Sequence, residues 1–227
     1  MPREKTISKT AFIKCIQCPK SLYLYKNHYQ QRDPLDEETQ IKFDFGHQIG
    51  DMAKMLFPGG HDLTPASHFQ FKAAIAATQK AISEGDHILY EPAFQYGHFI
   101  GAMDIMVRSQ DGWQAYEVKS SPSMAEVHIQ DAAYQYFLIT RSGITLSDIS
   151  LITTDKEALL AGKSYRDIFF IQSILPQVLS LQPFIEATSS LALEVLNAGE
   201  IPNIVMGTHC YEPYKCDFIG FCSQLQA

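Results

Sequence analysis

The sequence predicts a single α/β domain over residues 1–227, with a helical annex that carries cysteines at both chain ends. Three observations support this. Apolar residues recur at helical spacing through residue 84, break into short apolar runs separated by turn signals, and then return to helical spacing. A strand at 149–154 follows a helix at 123–141, and a strand reached through a helix invites a crossover connection. The tail, Met206 to Cys222, is too rich in Cys, Tyr, Pro and Gly for regular structure and holds three of the five cysteines.

In chain order, residues 8–30 read as helix interrupted at Cys18-Pro19, because proline is comfortable as the first residue of a new helix. Cys18 then falls at that helix's N-terminus. Residues 37–56 form a second helical stretch that ends at Phe57-Pro-Gly-Gly, and residues 66–84 a third that ends at Gly85. The runs Ile88–Phe94, Phe99–Val107 and Trp113–Lys119 are expected to be consecutive strands of a meander, turning at Tyr96-Gly97 and Asp111-Gly112. The 123–141 helix stops at Ser142-Gly143. From 165 to 198 the pattern is helical despite Pro176 and Pro183, and Gly199 ends it.

The chain carries 18 basic and 25 acidic side chains, a formal charge of -7, so it has no overall basic footprint for a polyanion. Residues 1–32 depart from this average. Arg3, Lys5, Lys9, Lys14, Lys20, Lys26 and Arg32 face only Glu4 there, interleaved with Tyr23, Tyr25 and Tyr29. Such a strip, with Lys9, Lys14, Lys20, Tyr25 and Lys26 as its contacts, suits a nucleic-acid backbone; a solvated helix face gives the same pattern. No apolar stretch approaches 18 residues, and the N-terminus has charge without a following apolar run, so a cytoplasmic protein is expected. Phe57-Pro-Gly-Gly-His lacks the Gly-Lys-Ser/Thr of a phosphate loop, and no G-x-S-x-G or H-E-x-x-H pattern occurs.

Asp104 is expected in the middle of a strand between Met103 and Ile105, where an unpaired carboxylate would be costly. Glu117-Val118-Lys119 ends the next strand, and strand alternation puts Glu117 and Lys119 on one side and Val118 on the other. Two carboxylates beside a lysine suit a hard divalent cation that binds a phosphate oxygen and acidifies water, which is phosphodiester hydrolysis. A surface ion pair across two strands is the structural alternative. On the following helix Gln130 shares a face with Tyr134, and Asp131 with Gln135.

Gly101-Ala-Met-Asp104, Glu117-Val-Lys119 and Gln130-Asp-Ala-Ala-Tyr134 resemble the Gly-x-x-Asp, Glu-x-Lys and Gln-x-x-x-Tyr series of RecB-type nucleases in the PD-(D/E)xK superfamily. The resemblance covers roughly residues 45–155 and implies a mixed sheet flanked by helices. It implies Asp104, Glu117 and the Val118 backbone carbonyl as Mg²⁺ or Mn²⁺ ligands, and Lys119 as the catalytic lysine. Gln130 and Tyr134 would contact substrate, with Gln135 as the alternative register for the glutamine. Where the family carries Gly-x-x-x-His, this chain has Gly46-His47-Gln48-Ile49-Gly50, with glycine in the histidine's place. His47 and Glu91 are further candidate ligands. A metal-dependent DNA exonuclease acting on single strands is the activity the resemblance implies. A non-catalytic nucleic-acid-binding module is the rival.

Cys210, Cys216 and Cys222 are separated by five-residue gaps and supply three soft ligands. Cys18 is the better fourth, because N–H groups at a helix start favour the thiolate. One N-terminal and three C-terminal thiolates resemble the layout of the 4Fe-4S subset of RecB-type nucleases, which includes CRISPR-associated exonucleases and helicase-nuclease subunits. The resemblance implies a cluster that clamps residues 1–35 to 200–227. Zinc in the same four thiolates, as the staple of a protein-interaction scaffold, is the alternative. His209 is a further donor available to zinc, and Cys15 is either spare or a substitute ligand. Ser8-Lys-Thr-Ala-Phe-Ile-Lys-Cys-Ile-Gln-Cys-Pro-Lys is also similar to a group of bacterial RecB-like proteins in which a further domain follows. This chain therefore reads as the N-terminal portion of a longer protein, with that domain or DNA-processing proteins as partners.

Overall fold

The computed structural model describes residues 5–65 and 70–225. Arg3 and Glu4, and the start of the helix expected from residue 66, lie outside them. The first elements are strand β1 (Ile7–Ser8), helices α1 (Lys9–Gln17), α2 (Pro19–Asn27) and α3 (Glu37–Lys54), strand β2 (His61–Asp62) and helix α4 (Phe71–Glu84). Next come strands β3 (Ile88–Tyr90), β4 (Ala93–Tyr96), β5 (Phe99–Ala102), β6 (Ile105–Ser109) and β7 (Gly112–Lys119), then helix α5 (Glu126–Arg141) and strand β8 (Leu146–Thr154). The chain ends with helices α6 (Lys156–Leu160) and α7 (Tyr165–Ile168), strand β9 (Phe169–Ser173) and helices α8 (Leu175–Asn197) and α9 (Ile219–Leu225).

Two mixed sheets result. The larger has the order β2-β3-β6-β7-β8-β9 and the smaller β1-β5-β4. β7 and β8 run parallel through α5, the crossover that the sequence pattern invites, while β6 and β7 form an antiparallel hairpin at Gly112. The alternation of β7 sends Ala115 into a core shared with α1, α2, α5 and α8, and Tyr116 into a second core with Ile49 and Ala53 of α3. The larger sheet therefore has helices on both faces. No helix among the described residues is long and apolar enough to cross a membrane.

Two expected strands are each broken in two. The run 88–94 splits into β3 and β4 around Glu91-Pro92, and 99–107 splits into β5 and β6 around Met103-Asp104. Pro92 has no N–H to give a ladder, and Glu91 adopts a left-handed φ of 54°, so the chain turns from one sheet to the other. The two corners lie side by side: Glu91 N donates to the Asp104 carbonyl at 3.0 Å and Met103 N to the Pro92 carbonyl at 3.0 Å. Asp104 and Glu91 thus sit at sheet corners, not at strand centres. The stretch expected to be helix from 165 instead contains β9, whose Phe-Phe-Ile-Gln-Ser pairs antiparallel with β8. The tail is not wholly irregular either, since it ends in α9.

Candidate functional site

The corner places Asp104 beside the end of β7. Val118 N donates to Asp104 Oδ2 at 2.6 Å, which ties the carboxylate to the end of β7. Glu117 is 1% exposed and points toward α5. There Gln135 Nε2 donates to the Ala102 carbonyl at 2.6 Å and approaches Glu117 Oε2 at 3.5 Å. Gln135 Oε1 is buried without a hydrogen-bond partner among the described residues. Gly101 makes this packing possible, because a Cβ there would meet Leu138 Cδ2 at 3.0 Å and Gln135 Oε1 at 3.1 Å.

Two ammonium groups share one oxygen of Glu117. Lys119 Nζ lies 3.0 Å from Glu117 Oε1 and also binds Asp131 Oδ2, and Lys9 Nζ lies 2.6 Å from the same Oε1. The sequence pattern puts Lys9 in the basic strip and marks Asp131 only as sharing a helix face with Gln135. No local pattern marks either one: Lys9 is 108 residues from its partner, and Asp131 becomes meaningful only once α5 packs across β7.

Burial alone would raise the pKa of Glu117, but Lys119 and Lys9 outweigh it and hold the carboxyl down to about 2. Burial and the neighbouring Glu117 push Asp104 up to about 6. Burial, followed by the field of Asp104, pushes Glu91 up to about 8, against which Lys54 and Lys9 act only partly. The site is thus graded: a firmly ionised Glu117, a more easily protonated Asp104, and a Glu91 that keeps its proton at neutral pH.

Several expected site residues lie elsewhere. Tyr134 is fully buried, with its Oη 3.0 Å from the carbonyls of both Ile7 and Ile100, so it fastens β1 to β5 rather than facing a substrate. Gln130 Nε2 reaches Glu126 Oε1 on its own helix at 3.4 Å. Of the two registers, Gln135 is the one at the acid site. His47 is exposed on α3, and a side chain added at Gly50 would meet nothing within 4 Å.

Cys18, Cys210, Cys216 and Cys222 line one cavity, together with Lys20, Ser21 and His209. Cys18 is the N-cap residue of α2, where Ser21 N donates to its carbonyl at 2.8 Å; burial pushes its thiol pKa up, and the nearby N–H groups of Ser21 and Lys20 act against that push. Cys216 Sγ lies 3.6 Å from Ser21 Oγ. Cys15 is a core residue, its thiol pushed up to about 12 by burial. Among the described residues no three His, Cys, Asp or Glu side chains converge closely enough to hold a single ion.

The basic strip faces inward. Lys14 Nζ binds Asp217 at 2.7 Å, Lys20 Nζ the Ile204 carbonyl at 2.7 Å, and Lys26 Nζ the Thr6 carbonyl. The half-buried Tyr25 ring lies under Lys14 and Lys26, 5.3 and 5.8 Å from their Nζ atoms. Gln17 Nε2 adds bonds to the carbonyls of His209 at 2.8 Å and Tyr214 at 2.6 Å. Expected as an open cationic face for DNA, these side chains instead join the N-terminal helices to one another and to the tail. The tail packs over the helices that carry Lys14 and Lys20, so these ammoniums meet its carboxylate and carbonyl groups.

No family model matches this chain, and no curated protein does. Fifteen chains of solved structures match. One, described as "Crystal structure of SSO0001", is 12% identical with a TM-score of 0.43, over 99% of this chain and 88% of that one.

Proposed function

We propose that this chain is a divalent-metal-dependent nuclease of the RecB-like PD-(D/E)xK type that carries a 4Fe-4S cluster and acts on DNA, with single strands as its substrate. The observation that carries this reading is the meeting of Asp104, Glu117 and Lys119 at one sheet corner, with Gln135 behind them. The donor set is hard oxygen, the carboxylates of Asp104 and Glu117, and beside it Gln135 Oε1 is buried without a donor among the described residues, so the residues fit Mg²⁺ or Mn²⁺. Asp104 and Glu117 would hold the ion. When bound, it supplies Lewis acidity toward a phosphate oxygen and acidifies a water.

The chain's own groups do the positioning. Lys119 is held from two sides, by Glu117 and Asp131, so its ammonium is fixed where a phosphate or an attacking water would lie. Gln135 keeps Glu117 oriented, and Val118 N holds one oxygen of Asp104, leaving the other for a ligand. The four thiols fit a cluster because they line one cavity, with Cys18 at the N-terminus of α2. That cluster would be structural.

The test is cleavage of end-labelled single- and double-stranded DNA by anaerobically purified protein with Mn²⁺ or Mg²⁺. Metal-dependent products are expected, lost in Asp104→Ala and reduced about 10²–10⁴-fold in Lys119→Ala. Two observations favour a second reading, a non-catalytic DNA-binding module: glycine at position 50 and the Lys9 ammonium on Glu117. Tight DNA binding by folded, brown protein without cleavage under either ion would establish that reading. A colourless protein with bound zinc would replace the cluster by a zinc staple.

A further inference from the structure

Lys9 has no role in the chemistry described above, yet it reaches the centre of the acid site from the far end of the chain. Its Nζ lies 2.6 Å from Glu117 Oε1, and the fields of Asp104 and Asp131 also act on it. Glu117 does not need it as a partner, since Lys119 already binds the same oxygen. The two lysines are held differently. Lys119 has two carboxylate partners and a side chain 16% exposed; Lys9 has one carboxylate partner and a side chain 29% exposed. Lys119 is therefore held from two sides, whereas Lys9 is held from one and its side chain is the more exposed of the two.

The position of the Lys9 backbone is set independently of Glu117. Tyr134 Oη fastens β1 to β5, and Ser8 Oγ caps α1 by accepting from Ala11 N at 3.3 Å. Lys9 is the first residue of that helix, so releasing its side chain leaves the helix intact. A divalent ion could supply to Glu117 the positive charge that the Lys9 ammonium now supplies, with Lys119 left in place on the same oxygen.

We propose that Lys9 is a built-in counter-cation that competes with the divalent metal for Glu117, so that metal binding expels its side chain and the site is restrained while Lys9 is in place. This rests on the reading that Asp104 and Glu117 bind a divalent ion, and its test measures binding rather than cleavage. Mn²⁺ affinity would be measured by calorimetry for the native protein, Lys9→Gln and Lys9→Arg, each checked for folding by circular dichroism. Lys9→Gln is expected to bind Mn²⁺ at least about fivefold more tightly, and Lys9→Arg no more tightly than the native chain. In the native protein, which needs no substitution to fold, an amine-reactive reagent read by peptide mass spectrometry should label Lys9 several-fold faster once Mn²⁺ is bound. Equal Mn²⁺ affinities with unchanged Lys9 labelling would overturn the competition and leave the metal site standing. Mn²⁺ binding to neither the native chain nor folded Lys9→Gln would overturn both.

Discussion

The acid corner and the cysteine cavity differ in how they are balanced. At the corner every strongly ionised group has an opposite charge within the chain: Glu117 has Lys9 and Lys119, and Lys119 also has Asp131. In the cavity four thiols face one ammonium, that of Lys20, which is itself bonded to the Ile204 carbonyl. The two regions also differ in reach. The corner is built mostly from residues 91–135, whereas the cavity joins Cys18 to cysteines about 200 positions later. A site that satisfies its own charges can fold without a ligand. A thiolate set that joins the chain ends gains most of its stability from what it binds.

The sharpest way to break this contrast is at the cysteines. If the cavity holds the proposed cluster, Cys210→Ser should abolish its visible absorbance and destabilise the fold by something on the order of 5 kcal/mol. At roughly 2–4 °C per kcal/mol for a chain of this size, that lowers the melting midpoint by about 10–20 °C. Cys15→Ser, outside the cavity, should leave the absorbance intact. The contrast fails if Cys210→Ser keeps both colour and midpoint. Lys14, Gln17 and Lys20 would then hold the tail without help.

The next effect belongs to the acid corner. Glu117→Ala takes the shared partner from two half-buried ammoniums, of which Lys119 keeps Asp131, and should cost about 1–3 kcal/mol, visible in urea unfolding, while the absorbance of the cysteine site stays unchanged. Loss of colour in this variant would show that the two regions are not separable.

How far the sequence could be read follows the same division. Asp104, Glu117 and Lys119 are legible because hairpin strands are close in sequence and strand alternation assigns faces without a structure. The Cys18, Cys210, Cys216 and Cys222 grouping is legible from residue chemistry, since thiols at both ends of a chain invite a shared ligand. Lys9, Tyr134 and the inward lysines are not legible. Their roles depend on which surface a distant segment covers, and a lysine facing solvent and one facing Asp217 look alike in one sequence. The β3–β4 and β5–β6 corners were hidden for a different reason. Glu91-Pro92 is a weak local signal, and its left-handed turn is stabilised by bonds to the neighbouring corner, not by its own residues. β9 is not legible because its short Phe-Phe-Ile run falls within helical spacing that continues between residues 165 and 176.

The pH dependence sharpens the electrostatic half of the comparison. Glu91 keeps its proton in the folded chain up to about pH 8, whereas its ordinary value is 4.5. Between those limits the folded state binds more protons than the unfolded one, so stability falls as pH rises through the window. Asp104 contributes with the same sign between 3.8 and about 6. Glu117 has the opposite sign: held near 2, it adds stability above 4.5 that is lost as pH falls toward 2. Glu91→Gln should flatten the fall between pH 5 and pH 8 by at least about 1 kcal/mol, roughly 2–4 °C in midpoint. An unchanged pH profile in this variant would place the titrating group elsewhere.

The smallest effect is expected at Gly101, and it separates packing from charge within the corner. A methyl group there meets Leu138 Cδ2 at 3.0 Å and Gln135 Oε1 at 3.1 Å, closer than ordinary contacts, so α5 must shift by a few tenths of an ångström or Gln135 must rotate. Overpacking of this kind costs about 1–3 kcal/mol, and Gly101→Ala should fall at the low end because both close contacts are side-chain termini. The informative readout is Gln135. If it rotates, Glu117 loses its 3.5 Å neighbour and Mn²⁺ affinity changes along with stability; if α5 shifts as a body, stability falls and affinity holds. Gly101→Ala combined with Gln135→Ala decides between them. An additive loss means that the methyl group acts on Leu138 alone. A combined loss smaller than the sum means that it acts through Gln135, which would make the glycine a determinant of the acid site's geometry as well as of its packing.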